Sequence, residues 1–161
     1  MTQDPTPIVA YRRSRFATRL PADRLYSPSH YWLLEEEPDV WRIGLTGFAT
    51  RMLGDLVEYE FSAKAGDAID VGQTIGWLEG FKAVTDLYSV ASGEFLGASA
   101  DLAQDITLLE GDPYRRGWLY RARGRPAPGA VDVHGYVAVL DATIDSMLEN
   151  RHSSGGGSGE S

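Results

Sequence analysis

An all-β sandwich or barrel is the fold class that this sequence predicts, and three observations point to it. Short apolar and β-branched segments recur along the chain, separated by Gly, Pro, Asp and Ser, which is the spacing of strands and tight turns rather than of βαβ units. An eight-residue pattern is echoed, QTIGWLEG at 73–80 and QDITLLEG at 104–111, with Gln, Ile, Leu, Glu and Gly matching at a constant offset of 31 residues. The 161 residues, 43% hydrophobic and 11% aromatic, are enough for one packed core.

Taken in order, residues 1–10 carry prolines and polar residues and read as a disordered start. YRRSRFATR at 11–19 is the one basic segment, read as a surface-facing strand or arm, with a targeting leader as the alternative. Strands are expected at His30–Leu34, Val40–Leu45, Leu56–Phe61, Ile75–Phe81, Val84–Tyr88, Gly93–Ala98 and Gly117–Arg123. The acidic run Glu35–Glu37 before Pro38-Asp39 reads as a solvated hairpin turn. Thr46 is placed to cap a short helix ending at Leu53, with Gly54 as its stop. Val137, Leu140, Ile144 and Met147/Leu148 recur at helical spacing, so a C-terminal amphipathic helix should lay its stripe on the sheets. The two echoed segments predict two similar β units with quasi-twofold symmetry.

Composition excludes several function classes. A net charge of −8 argues against nucleic acid, which needs clustered cations to displace counterions. No apolar run approaches the ~18 residues of a membrane span, and no secretory signal is expected. Zero cysteines exclude disulfides, thiolate metal sites and a cysteine nucleophile, and fit a reducing cytosol. His30, His134 and His152 lack metal-ligand spacing; His30 reads as a structural, hydrogen-bonding histidine. Trp32, Trp41, Trp77 and Trp118 read as core or cleft walls. No phosphate loop, nucleophile elbow or zinc signature appears.

One residue stands out against this background. Of fifteen Lys and Arg residues only Lys64 and Lys82 are lysines, and Lys82 falls in GWLEGFKAVTD between two strand-like runs. Alternation places Ile75, Trp77 and Glu79 on one face and Gly76, Leu78 and Gly80 on the other, with a tight turn at Lys82–Ala83. A lysine at such a tip is exposed. It suits an enzyme that makes amides on lysine, a role arginine cannot fill, while an ordinary hairpin lysine is the bland alternative. Glu79 is close enough to be read by that enzyme, or is a solvated strand residue.

The chain resembles the glycine cleavage system H protein family across roughly residues 18–125. Ser29, His30 and Trp32 match the family's Ser-His-Glu-Trp-like start; Leu45, Thr46, Ala49, Leu53, Gly54 and Asp55 match its Ile-Thr-x-x-Ala…Leu-Gly-Asp segment. Glu79, Lys82, Ala83 and Asp86 match the acceptor motif Glu-Ser-Val-Lys-Ala…Asp, Ser92–Gly93 the following turn, and Pro113, Tyr114, Gly117 and Trp118 the Pro-Tyr-x-x-Gly-Trp signature. The resemblance implies a barrel-sandwich hybrid of the lipoyl/biotinyl type, with lipoate in amide linkage to Lys82. It implies a non-catalytic, cytoplasmic carrier of the aminomethyl group of glycine. Its implied partners are glycine decarboxylase (P-protein), aminomethyltransferase (T-protein), dihydrolipoamide dehydrogenase (L-protein) and a lipoyl ligase or transferase. Two departures bear on the arm: Tyr31 stands where the family has Glu, and Gly80-Phe81 where it has Ser-Val. The alternatives are an H-like lipoyl carrier of lipoyl relay or sulfur metabolism, and an unmodified β-sandwich adaptor. The expected organisation is an N-terminal extension (1–17), the carrier domain (18–125), a Pro/Gly connector with helix (126–150) and a flexible Gly/Ser tail (151–161).

Overall fold

Eleven strands and four helices follow one another in the chain, as described by a computed structural model over residues 6–157, with side chains through residue 151. They are β1 (Ile8–Arg13), β2 (Phe16–Pro21), β3 (Leu25–Ser27), β4 (Tyr31–Glu37), β5 (Val40–Leu45), α1 (Gly47–Leu53), β6 (Leu56–Phe61), β7 (Ala68–Ile69) and β8 (Thr74–Gly80). After these come β9 (Val84–Tyr88), β10 (Ala91–Ala98), α2 (Ala100–Gln104), α3 (Leu108–Gly111), β11 (Tyr120–Pro126) and α4 (Val133–Gly157). A six-stranded sheet in the order β3-β4-β5-β11-β10-β7 faces a three-stranded sheet, β6-β8-β9, and every named strand pair is antiparallel. The all-β expectation and the short helix at 46–53 agree with this architecture.

The core between the two sheets is built from Leu33, Ile43, Leu78, Leu87, Phe95 and Tyr120, all at most 2% exposed. A second apolar cluster lies behind the large sheet, where Leu20, Tyr26, Trp32, Phe48, Tyr136 and Leu140 meet. Strand β4 therefore has both faces covered. Tyr31 and Leu33 enter the first cluster and Trp32 the second, so three consecutive residues are buried without breaking strand alternation. The Trp32 ring lies over its cross-strand partner Gly44, where any Cβ would collide with the indole.

Helix α4 supplies the covering stripe with Val133, Tyr136, Leu140 and Ile144; of the residues the helical period predicts, Leu140 and Ile144 are buried, Val137 and Leu148 are half-buried and Met147 stays 41% exposed. Its backbone continues to Gly157, into the Gly/Ser stretch expected as a tail, because adding a turn to an existing helix costs far less than nucleating one. Residues 158–161 of that tail and 1–5 of the extension lie outside the described residues.

Several sequence expectations are revised. Residues 8–10 are not a disordered start: they open a β1–β2 hairpin in full register, whose Tyr11 and Phe16 pack in the α4 cluster. The basic segment is tied down there, Tyr11 Oη donating to Asp141 at 2.8 Å and Arg13 pairing with Asp145 at 2.8 Å. Glu36 is more than a solvated turn residue, since it binds both Arg42 (2.6 Å) and Arg121 (3.2 Å). The second echoed segment is not a strand but the helical turns α2 and α3. Ile75 leaves the Trp77 face for the core, because the β8–β9 register slips between Thr74 and Gly76 and this bulge resets the alternation.

Candidate functional site

Strands β8 and β9 meet at the turn that carries Lys82. Glu79 pairs with Val84, and Gly80 N–H donates to the Ala83 carbonyl at 2.9 Å, which makes Phe81 and Lys82 the two central residues. The turn is thus centred one residue earlier than alternation suggested. Ala83 and Lys82 are exposed, and Glu79 is half-buried on β8, level with Glu58 of β6.

The tip does not wave in solvent. Its two central amides are held by the last residue of α1 and the turn after it: Lys82 N–H donates to the Leu53 carbonyl and Phe81 N–H to the Asp55 carbonyl, both at 2.9 Å. A helix C-terminus leaves carbonyls without intrahelical partners, and here the hairpin supplies the donors. Thr46 caps the other end of α1 through its side chain, and Gly54 closes it with φ 76° and an N–H to Thr50 O. Two glycines let the elements approach. A Cβ on Gly80 would land on the Leu53 carbonyl, and one on Gly54 would sit 2.8 Å from Lys82 Cγ. The lysine stem therefore lies along bare backbone at Gly54. On the other side Glu110 of α3 accepts the Leu56 N–H at 2.8 Å and fixes the start of β6.

Helix α1 separates two hollows. One, of about 600 Å³, is lined by Lys82, Phe81, Gly54, Asp55, Glu110 and Tyr114. The other, of about 220 Å³, holds His30, Tyr31, Ala49, Leu53, Asp86 and Tyr88. The sequence-predicted residues are accordingly split: Lys82 opens on one flank of α1, while His30, Tyr31 and Asp86 converge on the opposite one. A larger apolar cavity of about 700 Å³ lies between the β1–β2 tip, α1 and α4 and includes none of them.

Within the smaller cleft the polar groups have settled partners. His30, at φ 75°, shares a 2.8 Å hydrogen bond between Nδ1 and Tyr136 Oη, which in turn bonds Thr46 Oγ1 at 2.7 Å. Burial pushes the imidazole down to about 4, so it is neutral at physiological pH. Through these bonds it links α4 to the cap of α1. Tyr31 is 3% exposed, its hydroxyl accepts the Tyr88 N–H at 3.0 Å, and burial pushes the phenol up to about 12. Asp86 is exposed and is the one carboxylate among the residues lining this cleft. The Leu53 and Asp55 carbonyls and Tyr136 escaped sequence reading. Backbone acceptors leave no trace in residue types, and Tyr136 is distant in the chain from everything it binds here.

Among the described residues, no helix is long and apolar enough to cross a membrane and no group of His, Asp and Glu is placed to hold a metal ion.

Comparison with known proteins bears directly on this geometry. The family profile described as Glycine cleavage H-protein matches residues 24–130, a span that contains the lysine hairpin, α1 and the smaller hollow, while Phe16, Ala17 and Thr18 of β2 line the larger hollow from outside it. A glycine cleavage system H protein of Streptomyces avermitilis is 38% identical over 108 residues, covering 67% of this chain and 86% of that protein. One from Corynebacterium jeikeium is 34% identical over 124 residues, covering 75% and 97%. The crystal structure of a glycine cleavage system H protein from Mycobacterium marinum superposes with a TM-score of 0.67 at 30% identity, covering 74% of this chain and 97% of that one. The β1–β2 hairpin and α4 fall outside the matched span.

Proposed function

This chain belongs to the glycine cleavage H-protein family, and from that premise we propose that Lys82 bears lipoate in amide linkage. The family acts as a carrier in glycine decarboxylation, and neither another lipoyl pathway nor an unmodified adaptor is favoured for this member. The observation that carries the assignment to Lys82 is its position: an exposed primary amine at a hairpin tip clamped to the end of α1. The site fits the group, since the lysine stem lies over a glycine and Lys82 is exposed. Lipoate supplies, when bound, a disulfide able to take up and release the aminomethyl group of glycine.

The chain's own residues do the rest by position and charge. Two backbone hydrogen bonds fix where the tether begins, so its reach is set by the arm and not by loop motion. With Lys82 at the end of α1, an arm can fold along either flank of that helix. On the flank with Asp86 it meets a carboxylate, which suits a positively charged amine. Tyr31 adds no charge there, because its phenol is held neutral and its oxygen is already bonded to Tyr88. His30, also neutral, adds no competing cation. In this reading the partners in turn are glycine decarboxylase, aminomethyltransferase and dihydrolipoamide dehydrogenase, with a lipoyl ligase or transferase acting first. The carrier works in the cytoplasm and catalyses none of the steps.

The test uses the lipoylated chain with glycine decarboxylase and glycine. Intact mass should show one aminomethyl group gained as CO₂ is released. The Asp86→Asn variant should load as well but shed the group several-fold faster on standing, since one charge pair is lost. A wild-type chain that carries lipoate but never loads would contradict the glycine cleavage role.

A further inference from the structure

We infer that Phe81 is the anchor by which the enzyme that attaches lipoate grips this carrier, and that this enzyme offers an apolar pocket to receive it. The inference rests on Lys82 being the acceptor.

Phe81 is 80% exposed, beside Val84 at 67% and Val57 at 47%, at the lysine end of the small sheet. A phenylalanine so exposed contributes nothing to the core, and an isolated one on a loose loop would need no explanation. This one is held in place. Its amide is bonded to Asp55 O, Lys82 is bonded to Leu53 O, and Gly80 and Gly54 let the tip lie flat on the end of α1. A large aromatic group presented on a fixed backbone binds with little loss of conformational freedom, which is the character of an interface hot spot.

Reach identifies the occupant. An unmodified lysine amine extends only about 6 Å from its own Cα by standard bond lengths. In the attachment step Nζ attacks the carbonyl of an activated lipoyl adenylate; the C–N bond forms, AMP leaves and the amine gives up a proton. For the amine to arrive at that carbonyl, the enzyme must close around the tip itself, and Phe81 next door is covered. Enzymes that work on the far end of the finished arm meet the carrier across a much longer tether and have no such need to enclose the turn.

The experiment measures steady-state lipoylation of the full chain by a purified lipoate–protein ligase that modifies a control H protein, with lipoate and ATP supplied. Phe81→Ser should raise KM for the carrier about tenfold or more with kcat within twofold, and Phe81→Leu should recover most of the loss. Thermal melting should find both variants as stable as the parent, since the side chain is outside the core. An unchanged KM in Phe81→Ser while the parent is modified would overturn the anchor and leave Lys82 as acceptor. A fall in kcat alone would overturn it too, since the residue would then position the lysine and not hold the partner. Failure of the parent chain itself to be modified would strike the Lys82 assignment, and the anchor with it.

Discussion

The segments Gln73–Gly80 and Gln104–Gly111 share five of eight residues and almost nothing of their structure. The first is β8, the central strand of the small sheet, paired on both sides and running directly into the lysine turn. The second winds through the end of α2 and all of α3. Shared leucines do the same work in both, since Leu78 and Leu109 are each fully buried. The other identities diverge. Glu79 faces outward on a strand, whereas Glu110 reaches across to the Leu56 amide. Gly80 is pressed on the Leu53 carbonyl, whereas Gly111 has open space where a side chain would be. The unmatched residues decide the difference. Asp105 accepts hydrogen bonds from both the amide and the hydroxyl of Thr107, and Ser99 caps α2; such local bonds compete with a sheet ladder. The first copy has neither group, and β6 and β9 flank it.

This contrast can be broken or sharpened one pair at a time. Leu78→Ala and Leu109→Ala should each cost about 3 kcal/mol, because burial and not secondary structure sets the loss. Urea unfolding showing one of the two nearly silent would mean the shared leucines are not equivalent. Gly80→Ala should cost about 2 kcal/mol, since a backbone carbonyl cannot move aside, and should also slow modification of Lys82. Gly111→Ala should change stability by no more than about 0.5 kcal/mol. Equal effects from the two glycine variants would show that the close contact with α1 is absent in solution. Glu110→Ala should cost about 1 kcal/mol by leaving the Leu56 amide without its acceptor, and Glu110→Gln should restore most of it. Glu79→Ala should leave the melting temperature almost unmoved. A Glu79 variant that melted several degrees lower would give that residue a structural partner not seen among the described residues.

The same pair shows how far the sequence could be read. Strands β5, β6 and β9 lie at the bounds their β-branched and apolar runs predict, and α1 sits between its predicted caps Thr46 and Gly54. Local chemistry determines those elements. Where a distant partner decides, the letters were insufficient. Residues 8–10 read as part of a disordered start until β2 pairs with β1 and Asp141 and Asp145 of α4 bind Tyr11 and Arg13 of the same strand. The echo misled because identical residues carry no record of which neighbours will flank them. At the site, Lys82 was visible through its rarity, and Asp86 and Tyr31 through family resemblance. The Leu53 and Asp55 carbonyls that hold the turn, and the Tyr88 amide that occupies Tyr31, are main-chain groups every residue possesses. Only the fold shows which ones meet.

The central claim is that Lys82 carries the arm, and an intact mass tests it most directly. The full chain should be produced in cells supplied with lipoate, beside the Lys82→Arg variant, and both should be weighed after purification. The account predicts a mass increase of one lipoyl amide in the parent and none in the variant, with both folded. An unmodified parent under conditions that lipoylate a control H protein, or a lipoylated Lys82→Arg, would contradict it.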